Sequence, residues 1–218
     1  MMFRDRAEAG RHLAERLLHL KDADPVVLAL PRGGVPIAVP IAEALGAAVD
    51  LLLVRKIGAP GHSEYGIGAI VDGHQPQTVL DEEAVRQLGV QQSYIAQESV
   101  RQLNEIERRR AQYLHGRQPV GLQGRTVILV DDGIATGVTA RAALLGLERS
   151  GAARRILAAP VVPPEVAEML RPLCDEAVFL AEPATFSAVG AFYEDFHQVT
   201  DAEVTALLDQ AAAWRRQE

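Results

Sequence analysis

Cysteine is nearly absent from this chain: Cys174 is the single one in 218 residues, so no internal disulfide can form. Such cysteine usage fits a reducing compartment, and we expect the protein to be cytoplasmic. The chain also lacks an apolar run of the ~20 residues that a helix needs to span a bilayer. Its first residues enter a polar, amphipathic segment rather than the apolar core of a signal peptide. The sequence therefore predicts no membrane partner.

Basic residues are outnumbered, since 22 Lys and Arg stand against 29 Asp and Glu and give a formal net charge of −7. Bulk binding of nucleic acid requires a basic face. The run Arg108-Arg109-Arg110 is one candidate, but consecutive helix residues point in different directions, and Glu105 and Glu107 lie beside it. We expect no nucleic-acid partner.

One stretch carries much of the chemistry that the sequence does contain, VILVDDGIATGVT at positions 127–139. Its first four residues are apolar and mostly β-branched, which predicts a buried parallel strand. Asp131 and Asp132 follow where this strand ends. A turn of small residues with two threonines comes next, and we predict a helix from Ala140 to Ser150.

A helix N-terminus entered through small residues leaves backbone N–H groups available to an anion. Two carboxylates beside it can hold sugar hydroxyls or, through water, a divalent metal. A ligand that satisfies both halves has a phosphate joined to a polyol. The alternative is an ordinary strand-to-helix turn of a doubly wound sheet. That alternative does not explain paired acids and two threonines at the mouth of the sheet, where such folds bind ligands.

Three related phosphate-site motifs do not match. The turn lacks the lysine of a P-loop, and no Gly-x-Gly-x-x-Gly fingerprint follows the first strand. The aspartates are adjacent, whereas haloacid-dehalogenase phosphatases place theirs two residues apart. The stretch instead resembles the signature of type I phosphoribosyltransferases: four apolar residues, two acids, a short turn and Thr-Gly-x-Thr, here Thr136-Gly137-Val138-Thr139.

A similar strand, turn and helix lies near the N-terminus. We predict a buried strand at Val26–Leu30, the turn Pro31-Arg32-Gly33-Gly34 and a helix at Val35–Leu45. Glycines let a backbone approach an anion closely and arginine is a bidentate phosphate donor, although a plain turn with a surface arginine would look the same. The turn resembles the pyrophosphate-binding loop of the family. Members often hold a non-proline cis peptide in that loop, which implies such a bond near Pro31 to Gly33.

The next predicted strand, Val49–Ile57, is apolar until Arg55 and Lys56, which could neutralise pyrophosphate or simply face solvent. The segment 58–66 after it is rich in turn formers and has little to pack. It resembles the mobile catalytic loop of the family, which closes over bound substrate. The pattern Arg-Lys-x-Gly-x-Pro at this strand resembles a bacterial phosphoribosyltransferase-like group.

Strands and helices alternate through most of the chain, which predicts an α/β fold with a doubly wound, mainly parallel sheet and helices on both faces. We expect a single phosphoribosyltransferase-like domain over residues 1–218, with its core at about 26–181 and a small hood at about 182–218. The other predicted elements are helices at 4–20, 93–115 and 166–173, a hairpin of 68–71 with 77–80, and strands at 154–162 and 176–181.

The segment 183–196 holds four of the nine Phe and Tyr residues. These aromatic residues either pin the segment to the body or form the hood, the variable region in which this family accepts a nucleobase, often by stacking. The N-terminal helix is a further candidate for the hood. Thr200 and Glu203 form a capping box that starts a terminal helix.

The resemblance implies the donor 5-phosphoribosyl 1-pyrophosphate, with Mg²⁺ as cofactor. We call residues 31–34 the first turn and residues 133–139 the second turn. The 5-phosphate would bind at the second turn and the ribose hydroxyls at the paired acids. Pyrophosphate would bind at the first turn and at Lys56. The residues implied as catalytic are Asp131, Asp132, Lys56 and Arg32, with Asp131 and Asp132 also holding metal through water. Those implied as substrate-binding are Pro31, Gly33, Gly34, Arg55, Gly133, Ala135, Thr136, Gly137, Val138 and Thr139.

The expected activity is transfer of ribose 5-phosphate to a nitrogenous base with release of pyrophosphate. Ala135 argues against the usual hypoxanthine- or guanine-type enzyme, because that branch has an aspartate before Thr-Gly. Adenine and uracil enzymes carry alanine there, so the acceptor stays open. Two other functions also stay open: a non-catalytic regulatory module that binds the donor, and a hydrolase or phosphorylase of a sugar phosphate. Family members are often dimers, so the resemblance allows a homodimer.

Overall fold

The structure is a computed structural model that describes residues 2–73 and 76–214, with Ser63 and Glu64 described by their backbone. Its strands are β1 Pro25–Ala29, β2 Ala48–Leu51, β3 Val54–Ala59, β4 His62–Val71, β5 Gln77–Leu80, β6 Thr126–Val130, β7 Arg154–Val161 and β8 Glu176–Ala181. Its α-helices are α1 Arg6–Leu17, α2 Gly34–Leu45, α3 Glu82–Gln87, α4 Gln92–Leu114, α5 Val138–Leu147, α6 Pro164–Leu170 and α7 Asp201–Trp214. Short 3₁₀ turns lie at Leu18–Leu20, Arg171–Leu173 and Val189–Phe192.

The strands form a larger parallel sheet in the order β2-β1-β6-β7-β8 and a smaller antiparallel sheet in the order β3-β4-β5. The predicted α/β fold with a parallel sheet is confirmed. The chain leaves β1 toward one edge, at β2, and leaves β6 toward the other, at β7 and β8. The strand order therefore reverses between β1 and β6, and such a switch point is where open α/β sheets bind ligands.

Helices cover both faces of the parallel sheet because its central strands are apolar on both sides. Successive strand residues point to opposite faces. In β6, Ile128 packs in the cluster formed with α1, α2 and α7, whereas Val127 and Leu129 pack in the cluster formed with α5 and α6. This double burial is why the strand reads as a continuous apolar run.

The pairing of β1 with β6 places their ends side by side. Val26 lies beside Val127, and Ala29 lies beside Val130. The N–H of Leu30 then donates to the carbonyl of Val130 at 2.9 Å, which continues the pairing past the last strand residue. Because the two strands are parallel, the turns that follow them leave the same edge of the sheet in contact.

The prediction of one strand over 49–57 is wrong. The structure has two strands there, with β2 in the parallel sheet and β3 in the antiparallel sheet. Between them, the N–H of Leu52 donates to the carbonyl of Ala29, whereas the carbonyl of Leu53 accepts from the N–H of Asp72. The chain thus changes sheets between two buried leucines, and an unbroken apolar run hides that change.

The segment 58–66, predicted as a turn-rich loop with little to pack, is the turn end of a hairpin in which Gly58 and Ala59 are buried and residues 60–62, 65 and 66 are exposed. In that hairpin β3 pairs with β4, with register shifts on both sides of Gly58. Closure of this segment over substrate stays a prediction. Ile57, Ala59 and Ile67 are buried with residues of α3 and α4. The turn residue Gly61 has a φ of 73°, a left-handed conformation that favours glycine. Glycine therefore serves here in the turn and at the bulge of a hairpin.

The other predicted elements are present, with ends shifted by a few residues. The hairpin of β4 with β5 pairs Gly68 with Leu80, and the turn residues His74 and Gln75 lie outside the described residues. Asp5 caps α1 by accepting from the N–H of Glu8 at 2.7 Å. In the described ranges, no helix is long and apolar enough to cross a membrane.

The arginine run in α4 is divided between solvent and the interior. Arg108 and Arg109 both bind Glu105 on the same helix. Arg110 instead donates to both carboxylate oxygens of Asp50 at 2.8 Å and to Asp72 at 2.5 Å. Asp50 lies in the parallel sheet and Asp72 follows the antiparallel one, so this buried ion network ties the two sheets to α4.

We predict that Asp50→Ala destabilises the protein by about 3–5 kcal/mol, because it leaves the guanidinium of Arg110 buried without its main partner. Urea unfolding followed by circular dichroism measures this. The control is Asp209→Ala, whose carboxylate pairs with Arg117 but is 52% exposed, and which should cost about 0–1 kcal/mol. Equal losses in the two variants would contradict the structural role of the network.

Candidate functional site

Two turns that are distant in the sequence touch at the switch point. A Cβ atom placed on Gly34 would lie 2.6 Å from the carbonyl oxygen of Val130, and one placed on Gly33 would overlap Oδ2 of Asp132. The two glycines of the first turn therefore let it sit directly against the second. The group that approaches Gly33 in the structure is a carboxylate of the protein itself, and the role of the two glycines toward pyrophosphate stays a prediction.

The first turn has the backbone feature that the resemblance implied. The peptide bond between Pro31 and Arg32 is cis. The turn ends at Gly34, where α2 begins, and the N–H of Gly34 donates to the carbonyl of Leu30 at 3.0 Å. The predicted location of the cis bond is confirmed.

The second turn, residues 133–139, leads into α5 without a side-chain cap from any residue that the structure describes. Gly137 precedes the helix with a φ of 74°. The N–H groups of the first helical turn have no acceptor within the helix. Ala135, Thr136, Val138 and Thr139 are exposed around them, so this turn has the form of an anion cradle.

The paired acids lie between the two turns, largely buried. The N–H of Asp132 donates to Oδ1 of Asp131 at 2.9 Å. Burial, and then the neighbouring charge of Asp132, raise the pKa of Asp131 well above its usual range. Burial also raises the pKa of Asp132, and the guanidinium of Arg6 offsets part of that rise. A cation beside these acids would thus be stabilised by both.

Arg6 is a site residue that the sequence interpretation missed. Its Nε donates to Oδ2 of Asp132 at 2.7 Å, and Nη1 donates to the carbonyl of His197 at 2.9 Å. Its guanidinium also lies 3.9 Å from the centre of the Phe196 ring. Arg6 lies four residues before Gly10, so both are on the same, buried side of α1. A charged residue on the buried side of a predicted helix is a sequence signal that could have pointed to it.

Tyr193 lies in the segment 183–196, which we call the aromatic segment, and it also contacts Asp132. Its hydroxyl donates to the carbonyl of Asp132 at 2.5 Å, and its ring stacks on Phe196 with centroids 5.1 Å apart. Val189 covers Gly133, where an added Cβ would overlap Cγ1 of the valine. The aromatic segment is therefore packed against the rest of the domain, and the contacts lie at Asp132 and Gly133.

The predicted cations do not all meet. The Nε of Arg55 donates to Oε1 of Gln102 on α4 at 3.0 Å. Lys56 is the next residue in β3, and neighbours along a strand point to opposite faces. Arg55 is thus directed toward α4, and a role of Arg55 and Lys56 in neutralising pyrophosphate stays a prediction. Arg32 lies in the first turn, with Nη1 at 3.5 Å from Oδ1 of Asp201 at the start of α7.

The sequence of the chain matches the model of the phosphoribosyl transferase domain over residues 4–180. The chain belongs to this family. It is 44% identical to the protein TT1426 of Thermus thermophilus, whose crystal structure superposes with a TM-score of 0.84 over 96% of this chain and 99% of that one.

Relatives in Mycobacterium tuberculosis extend beyond the region shared with this chain. Rv0571c of strain H37Rv and MT0597 of strain CDC 1551 have the provisional name phosphoribosyl transferase. Each is 44% identical over 212 residues, which cover 96% of this chain and 47% of the relative. The chain thus spans about half the length of the curated relatives it matches.

The paired acids of this phosphoribosyl transferase domain offer a limited set of metal ligands. Within residues 2–73 and 76–214, no group of three or more His, Cys, Asp and Glu side chains is arranged to hold a metal ion. Asp131 and Asp132 supply carboxylate oxygens, which Mg²⁺ prefers, and Mg²⁺ usually binds few protein carboxylates and keeps several waters. The donor set fits magnesium held with water and substrate oxygens.

We predict that Gly33→Ala destabilises the domain by about 1–3 kcal/mol, because the new Cβ would overlap the carboxylate of Asp132. At an unobstructed site the same change in the right-handed conformation of Gly33 would stabilise by about 0.4–1 kcal/mol. The control is Gly121→Ala, where an added Cβ meets nothing within 4 Å. Urea unfolding of both variants is the measurement, and a Gly33→Ala variant as stable as the control would contradict the contact.

Proposed function

We propose that this protein is a magnesium-dependent phosphoribosyltransferase. It moves ribose 5-phosphate from 5-phosphoribosyl 1-pyrophosphate to a nitrogenous base and releases pyrophosphate. The observation that carries the proposal is the contact of Gly33 with the carboxylate of Asp132. That contact brings the first turn, the paired acids and the open N-terminus of α5 into one site, which matches a sugar with an anion at each end.

The 5-phosphate of the donor binds at Ala135 to Thr139. Backbone N–H groups at a helix N-terminus point toward such an anion, and the helix dipole favours its charge. The hydroxyls of Thr136 and Thr139, both exposed, add donors. The small side chain of Ala135 leaves the cradle open.

The ribose and pyrophosphate bind between the two turns. Asp131 and Asp132 accept hydrogen bonds from the ribose hydroxyls, directly or through water on the metal. Gly33 and Gly34 bring the backbone of the first turn up to the pyrophosphate, and Lys56 adds a charge from the hairpin. Arg32 can also turn toward the pyrophosphate, because both partners of its ion pair with Asp201 are partly exposed and such pairs are weak.

In the proposed reaction the bond between the anomeric carbon and the pyrophosphate oxygen breaks, and a ring nitrogen of the base forms the new bond and gives up its proton to water. The anomeric carbon passes through an oxocarbenium-like state. The side chains position the two reactants and neutralise the leaving group. Magnesium held by Asp131 and Asp132, when bound, supplies further neutralisation of the pyrophosphate charge.

The acceptor is a nitrogenous base of undetermined identity. The enzymes that act on 6-oxopurines have an aspartate at the position of Ala135. Its absence here favours a base other than hypoxanthine or guanine. A cytoplasmic location, a homodimer and the division into a core and a hood also stay predictions.

The test is release of pyrophosphate from the donor with magnesium and a panel of purine and pyrimidine bases. We expect base-dependent release with at least one base. Donor binding without release for any base would instead favour the non-catalytic regulatory module. Ribose 5-phosphate formed without an added base would favour a hydrolase.

We predict that Asp131→Asn weakens donor binding about tenfold or more. The fold should be kept, because burial raises the pKa of Asp131 and its ionised form therefore costs stability at neutral pH. Calorimetric titration with the donor and magnesium measures the affinity, and thermal unfolding should give an equal or higher Tm. Asp209→Asn is the control, and equal donor affinity in the two variants would exclude Asp131 from the site.

A further inference from the structure

We propose that Arg6 is a positioning residue of the donor site, which it serves by fixing the carboxylate of Asp132. The inference rests on the proposed function and adds to it a residue from outside the two turns. Arg6 lies in the N-terminal helix, 126 positions before its partner. It acts through Asp132 and not by contact with the reacting atoms.

Three contacts fix the guanidinium of Arg6, which is 8% exposed. Nε donates to Asp132, and Nη1 donates to the carbonyl of His197. The face of the group lies on the ring of Phe196. A planar group held at two of its nitrogens and on one face has a defined orientation, and an ammonium group could not reproduce all three contacts.

The fixed guanidinium in turn fixes the carboxylate of Asp132. Oδ2 lies at 2.7 Å from Nε of Arg6, and the backbone of Gly33 closes its other side. With one oxygen held, the rotation of the carboxylate is set, and so is the position of Oδ1. The hydroxyl of Tyr193 holds the carbonyl of the same residue. Asp132 is thus held through its side chain and through its backbone.

Arg6 and Tyr193 hold Asp132, and Phe196 and Phe3 pack against them; we call these four residues the terminal clamp. The N–H of Phe3 donates to the carbonyl of Phe192 at 2.8 Å, and the carbonyl of Phe3 accepts from the N–H of Glu194 at 2.8 Å. The rings of Phe3 and Tyr193 lie 5.5 Å apart. The residues just before α1 are therefore joined directly to the aromatic segment that holds Asp132.

The packing of α1 on α2 sets the reach of Arg6. Gly10 lies one turn after Arg6, and a Cβ there would lie 2.6 Å from the carbonyl oxygen of Ile37 in α2. Helix α2 starts at the end of the first turn. The close packing thus fixes α1 relative to the same turn that touches Asp132.

The charge of Arg6 suits a site that must accept an anionic donor. Two adjacent, largely buried carboxylates would repel the phosphates of the donor. A buried guanidinium paired with one of them reduces this repulsion and leaves both acids in place for the ribose. Positioning and charge both predict that loss of Arg6 weakens donor binding, and both effects pass through Asp132.

The test is a double-mutant cycle of Arg6→Ala with Asp132→Asn, read as donor affinity by calorimetry with magnesium. Arg6→Ala should weaken donor binding by about tenfold to a hundredfold. The double variant should bind the donor within about twofold of Asp132→Asn alone, because residues that act through one partner are not additive. Arg6→Lys should recover part of the loss.

The control is Arg11→Ala, an exposed arginine of the same helix, which should bind the donor as the wild type does. In steady state, Arg6→Ala should raise the donor KM while the acceptor KM stays unchanged, a split that a general loss of folded protein would not produce. Thermal unfolding of each variant checks folding. If Arg6→Ala is unfolded at the assay temperature, the cycle is run with Arg6→Lys.

Two results would overturn the inference: an affinity of Arg6→Ala equal to that of Arg11→Ala, or losses that multiply in the double variant. These are distinct from failure of the proposed function, which would appear as a wild-type protein that binds no donor. If the wild type binds the donor and Arg6→Ala binds it equally well, the inference is rejected and the proposed function still stands.

Discussion

The parallel pairing of β1 with β6 sets the geometry on which the site depends. It aligns Ala29 with Val130, so two turns separated by about a hundred positions begin at the same level of the sheet. Both strands are buried on both faces, so their pairing belongs to the core of the domain. The position of the two turns therefore depends on strand pairing within that buried core.

Glycine then determines how closely the turns approach. Gly33 touches the carboxylate of Asp132 and Gly34 touches the carbonyl of Val130, at distances that exclude a Cβ atom. The consequence is a site in which the acids and the first turn share one small space. This shared space is the reason that we propose a donor whose ribose hydroxyls and pyrophosphate are only a few bonds apart.

The ends of the chain complete the site from outside the sheet. Arg6 in α1 and Tyr193 in the aromatic segment hold Asp132, while Asp201 at the start of α7 pairs with Arg32. An acid and an arginine predicted to bind the donor are thus each held by a residue from a terminal segment. The buried pair at Asp132 carries far more of this effect than the exposed pair at Arg32, since solvent screens the latter.

The errors of the sequence-based predictions share one origin. The apolar run from Val49 to Ile57 contains a change of sheet, and the glycine-rich segment after it is the turn end of a hairpin. Local composition describes which residues are apolar or turn-forming, and it does not describe which partner strand or helix they meet.

The parallel α/β fold, the two strand-end turns and the paired acids could be predicted from the amino-acid sequence, because they follow from the alternation of apolar runs, turn residues and helical patterns along the chain. The cis bond near Pro31 was expected only from the resemblance to the family. The folded chain was needed to show that the two turns touch, that Arg55 binds Gln102, and that Arg6 and Tyr193 hold Asp132. Those contacts depend on strand register and on the packing of α1 on α2. Both are set by the complete core, which no short stretch of sequence contains.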